Sequence, residues 1–270
     1  MTADRPVLGI LLMLGFCILA PLGDSIAKLL GGTIPLLQLL IVRFGLQAVL
    51  LLPLILFSGR SLKVSPRVAW LTAARTVLHI VGVGAMFLSL RFLPLADAVA
   101  IAFVMPFIML LLGRFVLDEE VGGRRLAACA VGFFGTLLVV QPSFSEVGAP
   151  ALLPLLVAVD FALFMLVTRQ IAKQVDPVSL QAVSGGMATV ILLLIYGLTR
   201  ITGVLETQLV VPDLSTGLLL VAIGVVGTMA HLLMTWSLRF APSATVAPMQ
   251  YLEIPVATII GYLVFADLPN

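Results

Sequence analysis

Long apolar runs, broken by short polar or proline-containing turns, make up nearly the whole chain. Nine runs are each long enough for a membrane-spanning helix, which needs about 20 apolar residues. They lie near residues 6–27, 34–57, 67–90, 95–117, 123–141, 150–172, 178–201, 213–238 and 243–266. Several of the breaks are so short that consecutive helices must be antiparallel neighbours. The pattern therefore predicts an all-α, polytopic helical membrane bundle without a soluble domain.

One stretch of this pattern occurs twice. Residues 89–119, SLRFLPLADAVAIAFVMPFIMLLLGRFVLDE, align without a gap to residues 237–267, SLRFAPSATVAPMQYLEIPVATIIGYLVFAD, at a shift of 148. Chance alignment of two apolar helices would not also match the turn SLRFxPxA and a glycine. The stretch is therefore an internal repeat.

The shift maps the third and fourth runs onto the eighth and ninth, so the repeat unit contains five helices. A unit with an odd number of helices enters the membrane from opposite sides in its two copies, which is the inverted arrangement of many secondary transporters. We predict two repeats, 1–142 and 150–270. The second holds four spans, so by this comparison its fifth span, the tenth helix, is missing.

Composition agrees with a membrane protein. The chain is 61% apolar and 10% charged, with a mean hydropathy of +1.22, whereas soluble proteins have about 45–50% and about 25%. A net charge of +2 with scattered basic residues argues against a nucleic-acid partner. Cys17 and Cys129 stand alone in apolar runs and are interpreted as small core residues, so no metal site or cofactor is predicted.

The basic residues set the expected orientation. With the N-terminus inside, the inner loops hold nine and the outer loops three of the lysines and arginines that flank the spans. The outer three are Lys28, Arg91 and Arg200. By the positive-inside rule, we expect a cytoplasmic N-terminus. Asp24 and Lys28, one turn apart at the outer end of the first span, are expected to form an interfacial pair.

Several motifs resemble a known family. They are Arg43-Phe44, LRFLPLADA at 90–98, Pro106, Gly113, Asp118-Glu119 and GFFGT at 132–136. Together they are similar to an EamA-type member of the drug/metabolite transporter superfamily, over nearly the whole chain. The resemblance implies a ten-helix carrier of the bacterial inner membrane that moves a small organic metabolite. The missing tenth helix is the one departure, and a membrane component that no longer transports is the reading that it suggests.

Ionisable side chains within the spans are costly in a bilayer and are therefore functional candidates. Arg43, Arg75, Asp160 and Glu253 fall near the middle of their spans, and we expect them to line a central polar cavity. The alternative is that the arginines pair with the carboxylates and only hold helices together. If they bind solute, Arg43 and Arg75 favour one with a carboxylate or phosphate.

Other polar side chains extend this candidate site. Gln250 and Tyr251 lie between two prolines of the ninth span, where freed backbone groups need partners. His79 lies one turn from Arg75 and is as well explained as a hydrogen-bonded core residue. Trp236 is a further cavity candidate, with anchoring at the membrane interface as the alternative; at most one of Trp236 and His231 is expected to face the cavity.

Small residues and one proline are candidates for hinges, although close helix packing explains them equally well. They are Gly82, Gly84, Pro106, Gly185 and Gly186.

These features favour a transporter that works by alternating access, with Asp160 or Glu253 as the candidate for proton coupling. An uncoupled permease is the alternative. An enzyme is not expected, because no nucleophile has a base in a suitable context, and neither a channel filter nor a haem motif around His79 and His231 is present. The expected partners are a small organic solute and the lipid bilayer, with the chain a monomer or a homodimer.

Overall fold

The computed structural model describes residues 5–58, 64–140, 148–203 and 208–266. Eleven α-helices and two 3₁₀ segments account for most of these ranges, and no strand occurs in them, which confirms the all-α prediction. The helices are α1 Pro6–Leu30, α2 Leu36–Ser58, α3 Pro66–Ser89, α4 Leu95–Ala102, α5 Met105–Val116, α6 Gly123–Val140, α7 Leu152–Ala172, α8 Pro177–Thr202, α9 Leu214–Phe240, α10 Ser243–Val246 and α11 Glu253–Phe265. The 3₁₀ segments are Ala149–Ala151 and Ala247–Leu252.

Eight helical segments in the described ranges are long and apolar enough to cross a membrane. They match eight of the nine predicted spans. The ninth prediction, 123–141, falls on α6, which has 18 residues, begins with Gly123 followed by two arginines, and is not among the eight. A ninth span therefore stays a prediction.

Two predicted spans are interrupted rather than continuous. The span predicted at 95–117 consists of α4 and α5, separated at Phe103 and Val104. The span predicted at 243–266 consists of α10, a 3₁₀ segment and α11. A shift of 148 carries the first break onto Tyr251 and Leu252, so both interruptions occur at the same place in the repeat. Prolines beside each break explain it, because proline removes a helical hydrogen bond.

The order of packing relates the two halves of the chain to each other. The most extensive contacts join α1 to α9 and α3 to α7, while α2 packs on α8. Further contacts join α1 to α11 and α5 to α7. If α1, α2, α3 and α5 correspond to α7, α8, α9 and α11, each of these pairs maps onto another pair or onto itself. This is the pairing that a two-fold axis between the predicted repeats would produce.

Two arginines at corresponding positions make corresponding hydrogen bonds. Arg91 Nη2 donates to the carbonyl of Ile34 at 3.0 Å, just before α2. Arg239 Nη1 donates to the carbonyl of Val175 at 2.8 Å, just before α8. Each arginine therefore ties the end of the third helix of its half to the start of the second.

Capping side chains fix where three of the long helices begin. Ser65 caps α3, and Asp176 caps α8 by accepting from the Ser179 amide at 3.0 Å. Asp213 caps α9 by accepting from the Thr216 amide at 2.8 Å. Hydrogen bonds from Thr216 and Ser215 keep the pKa of the exposed Asp213 carboxyl below its ordinary value, because they favour the charged form.

Candidate functional site

A central cavity of about 110 Å³ lies between the two halves of the bundle. Its wall is built by α1, α2, α3, α4, α5, α7, α9 and α11 together with the break at Phe103. The cavity lies toward the C-terminal ends of α1, α3 and α4 and the N-terminal end of α2. Its lining combines charged groups from three helices with a larger set of aromatic and aliphatic side chains.

Three charged side chains line the cavity: Asp24 from α1, Arg43 from α2 and Glu253 from α11. Asp24 is near enough to Arg43 for their opposite charges to attract, and near enough to Glu253 for their like charges to repel. Arg43 and Glu253 were predicted here. Asp24 was expected to form an interfacial pair with Lys28; it lines the cavity, and the pairing stays a prediction.

Arg43 lies flat against the backbone of α9. Its side chain is 2% exposed, and its Nη1 donates a long hydrogen bond of 3.4 Å to Gln47 Oε1 on the same helix. A Cβ at Gly227 would lie 2.9 Å from Arg43 Nη2 and 3.0 Å from its Cζ. The missing side chain of Gly227 is thus what allows the guanidinium to reach this position.

Glu253 is the first residue of α11, directly after the 3₁₀ segment. Its Oε1 is buried and has no hydrogen-bond partner among the described residues. A shift of 148 carries Glu253 onto Met105, which also lines the cavity. The two halves therefore place one acidic and one apolar side chain at corresponding positions of the wall.

Aromatic side chains form a second part of the wall. The rings of Phe16 from α1 and Phe161 from α7 are nearly parallel, with an angle of 16° between their planes and 6.0 Å between their centroids. His231 from α9 lies edge-on to both rings and has no hydrogen-bond partner for Nδ1 among the described residues. All three residues line the cavity.

His79 lies behind His231 rather than on the cavity wall. The two imidazole centroids are 4.2 Å apart, and the His79 ring also contacts Phe44 and Phe164. At that separation the rings are in van der Waals contact, so a haem does not fit between them. Neither nitrogen of His79 has a hydrogen-bond partner among the described residues, so the hydrogen-bonded core interpretation does not describe it.

Asp160 on α7 lies behind a glycine of the cavity wall. Its Oδ2 approaches Gly82 so closely that a Cβ there would collide with it, and this oxygen has no partner among the described residues. Gly82 lines the cavity, whereas Asp160 does not. The carboxylate therefore packs against Gly82 and is not part of the cavity wall.

Arg75 does not line the cavity and belongs to a separate buried network between α3, α7 and α8. Its guanidinium donates to Thr168 Oγ1 at 2.8 Å, to Ser184 Oγ at 2.9 Å and to Gln181 Oε1 at 2.6 Å. It also lies over the ring of Phe164, 4.5 Å from the centroid. These neutral partners join α3 to α7 and α8.

The alternative of buried ion pairs does not hold for the described residues. Within them, neither Arg43 nor Arg75 forms an ion pair with Asp160 or Glu253, and the ion pair that does occur joins Glu119 to Arg169. Of the two arginines, Arg43 alone lines the cavity.

Three further candidates lie away from the cavity wall. Gln250 is buried with its amide nitrogen 3.2 Å from Met165 Sδ. Tyr251 donates its hydroxyl to the carbonyl of Phe103 at 3.3 Å, so that two positions 148 residues apart meet. Trp236 packs in an apolar cluster with Leu51. Of Trp236 and His231, it is His231 that faces the cavity.

The hinge candidates differ in their surroundings. Pro106 lies in the first turn of α5, immediately after the break in the fourth predicted span. Gly82 and Gly185 pack closely on their neighbours: a Cβ added at Gly185 would lie only 3.0 Å from the Gln47 side chain. Gly84 has ordinary contact with Leu40, and Gly186 faces open space. A hinge role for each stays a prediction.

Away from the cavity wall, Glu119, which follows α5, connects several helix ends. Its Oε2 accepts from Ser243 Oγ at 2.6 Å and from the Ala244 amide at 3.0 Å, and so caps α10. Its Oε1 accepts from Arg169 Nε at 3.1 Å, and Arg169 also donates to the carbonyl of Leu238 at 2.6 Å. The C-terminal ends of α5, α7 and α9 and the start of α10 are joined here.

Some site residues escaped sequence analysis. Asp24 carries a signal that could have placed it, because an ionisable residue followed by six helical positions lies inside a span. Phe16 and Phe161 carry none, since phenylalanine is common in apolar helices and their near-parallel rings come from different halves. The sequence also carried no sign that Gly227 contacts Arg43, because this contact depends on how α2 crosses α9.

Comparison with known proteins gives two matches to the model of the EamA-like transporter family, at residues 7–141 and 149–270. The riboflavin transporter of Brucella anthropi is 27% identical over 229 residues, covering 84% of this chain and 79% of that protein. The riboflavin transporter of Rhizobium johnstonii is 31% identical over 202 residues, covering 74% of this chain and 64% of that protein.

A second group of similar proteins is named for another solute. The S-adenosylmethionine uptake transporter of Rickettsia prowazekii is 22% identical over 252 residues, covering 92% of this chain and 81% of that protein. A solved crystal structure shares the fold with a TM-score of 0.73 and 19% identity, covering 98% of this chain and 89% of that one.

Proposed function

The chain belongs to the EamA-like transporter family and is a multi-pass membrane transporter of a small metabolite, and we propose that its solute passes through the central cavity by alternating access. The cavity between the two halves carries this proposal. It is built from both halves, and we propose that the contacts of Glu119 with Arg169 and with α10 hold the opposite side closed. Opening that closure while the cavity side closes would carry a bound solute across.

We propose that the solute is a neutral or cationic compound with a flat nitrogen heterocycle. Two carboxyl groups, Asp24 and Glu253, face one guanidinium in the cavity, so an anion would meet net repulsion while both are ionised. Arg75, which was expected to favour an acidic solute, donates its hydrogen bonds to neutral side chains of the bundle. Riboflavin and S-adenosylmethionine, the solutes for which the relatives are named, fit this description as an uncharged and a cationic compound.

A pair of compounds with the same ring tests the charge preference. Riboflavin and its phosphate ester differ in one dianionic group. We expect uptake of riboflavin into proteoliposomes that contain the purified protein, and uptake at least about tenfold slower for the ester, a difference of about 1.4 kcal/mol. Faster uptake of the ester would overturn the proposed charge class.

Glu253 is our candidate for proton coupling. It faces the cavity with an unpartnered oxygen, whereas Asp160, the other candidate, lies behind Gly82. If one carboxylate both contacts the solute and binds a proton, the movement of the solute is coupled to the movement of the proton. An uncoupled permease remains the second candidate function, and it is favoured if uptake does not respond to a pH gradient.

We also propose that the protein lies in the bacterial inner membrane with its N-terminus in the cytoplasm, as a monomer or homodimer and without enzymatic activity. The distribution of basic residues supports this orientation, although the part of it at residues 60 and 63 lies outside the described ranges. In this orientation the cavity lies toward the outside and Glu119 toward the cytoplasm. Reporter fusions after α2 and after α3 test it: the first should report a cytoplasmic position and the second an external one.

A further inference from the structure

Four flat groups follow one another from the buried network of Arg75 to the cavity. They are the Arg75 guanidinium and the rings of Phe164, Phe161 and Phe16. The Arg75 guanidinium lies over Phe164, and the ring of Phe164 stacks on Phe161 at 5.5 Å and 29°. Phe161 in turn lies nearly parallel to Phe16. Phe164 is fully buried, whereas Phe16 and Phe161 line the cavity. The four groups therefore end in the cavity with a pair of rings from α1 and α7.

The two rings have different neighbours. Phe161 stacks on Phe164, which also contacts the Arg75 guanidinium. Phe16 belongs to α1, which packs on α9 and α11. A flat ring inserted between two others needs about 7 Å between them, twice the contact distance of carbon atoms. The present centroid separation of 6.0 Å must therefore increase by about 1 Å or more.

The imidazole of His231 lies beside the same two phenylalanine rings. His231 presents its edge to both phenylalanines at centroid distances of 5.8 Å and 6.2 Å. The residue is 7% exposed, and its Nδ1 has no partner among the described residues. A nitrogen heterocycle between the two rings would bring both a flat apolar face and an edge with hydrogen-bonding atoms, and so would satisfy what each of these groups lacks.

We propose that Phe16 and Phe161 form an aromatic clamp that determines specificity by holding the flat heterocycle of the solute between them, with His231 bonding to its edge. This rests on the proposed function and names the part of the cavity that reads the ring. Asp24 lies eight residues beyond Phe16 on α1, about 12 Å further along the helix. The ring is therefore held at the cavity floor, and a polar substituent extends toward Asp24 and Arg43.

The test uses riboflavin as the probe and the full-length protein in detergent. Phe16→Leu and Phe161→Leu keep apolar volume but remove the flat face. We expect each to weaken riboflavin binding about tenfold, which is the usual size of a lost base–aromatic stack. Phe107→Leu is the matched control, because Phe107 contacts Phe133 edge-on and does not line the cavity. It should bind as the wild type does.

A second variant separates stacking from simple packing. Phe161→Trp keeps a flat ring and adds an indole, which quenches flavin fluorescence on contact. We expect the bound flavin to lie against the indole and its emission to be quenched, whereas flavin bound to Phe161→Leu should keep its emission. Wild-type affinity in both leucine variants, or unquenched flavin bound to Phe161→Trp, would overturn the clamp while the proposed function stood. No binding of riboflavin or S-adenosylmethionine by the wild type would overturn the proposed solute class and the clamp with it.

Discussion

Arg43 and Gly227 illustrate how one charge is held in the middle of an apolar bundle. The guanidinium rests on the backbone of α9, 4.8 Å from the centroid of the Phe44 ring. It faces two carboxylates of the cavity without forming a close ion pair with Glu253. A buried charge in this setting keeps capacity for a ligand, since its field is not cancelled at contact distance by one fixed partner.

Gly227→Ala tests this arrangement. The added Cβ would lie 2.9–3.0 Å from the Arg43 guanidinium, so the side chain must shift. We expect riboflavin uptake to fall by about tenfold, the equivalent of about 1.4 kcal/mol, with little change in folding. Gly186→Ala is the control because its Cβ meets open space. Equal uptake in the two variants would show that the position of Arg43 does not matter.

Glu253→Gln tests the coupling group. The amide keeps the size of the side chain but does not bind and release a proton, so acceleration of uptake by a pH gradient should disappear while exchange of labelled for unlabelled solute continues. Asp160→Asn is the comparison, and we expect it to keep its response to the gradient because Asp160 lies behind Gly82. A full response in Glu253→Gln would remove Glu253 from the coupling mechanism.

At the scale of the helices, the two interrupted spans are also the ones that the contacts of Glu119 join. The span formed by α4 and α5 is interrupted at Phe103 and ends at the loop of Glu119. The second half is interrupted at the corresponding place, and its α10 is the helix that Glu119 caps. Helix breaks absorb changes of direction, so a movement of α10 need not displace α11.

Glu119→Ala tests the closure. The variant loses the cap of α10 and the bond to Arg169, so the closed side should open more often. A cysteine at Met109, which is fully buried in that half, should then react with an impermeant maleimide several times faster. The measurement uses a background without the native cysteines, and Glu120→Ala serves as the control. Unchanged reactivity would mean that Glu119 does not hold this side shut.

Sequence patterns gave the helices well and their interruptions less well. Apolar run lengths located eight spans, because a bilayer fixes the length of a helix. The breaks at Phe103 and in the 3₁₀ segment were not predicted, because prolines such as Pro106 are tolerated near helix starts as well as at kinks. The alternative of pairing for Arg43 and Arg75 could not be decided either, since it depends on side-chain directions across helices.

At the scale of the whole molecule, the internal repeat explains where the cavity lies. Corresponding helices pack in corresponding pairs, and Tyr251 meets Phe103 where the two halves adjoin. Corresponding positions can differ in charge: Glu253 of the second half corresponds to the apolar Met105 of the first, and both line the cavity. The shared residues build the frame, and the cavity chemistry depends on the positions at which the two halves differ.

Blocking the cavity measures most directly whether it is the path of the solute. Ala102→Cys, in a background without Cys17 and Cys129, places a thiol on the cavity wall, and Leu111→Cys places one on the exposed face of α5, where the native leucine is 52% exposed. Maleimide modification at position 102 should stop riboflavin uptake, and riboflavin should slow that modification. Modification at position 111 should do neither. Undiminished uptake by protein fully modified at position 102 would contradict transport through this cavity.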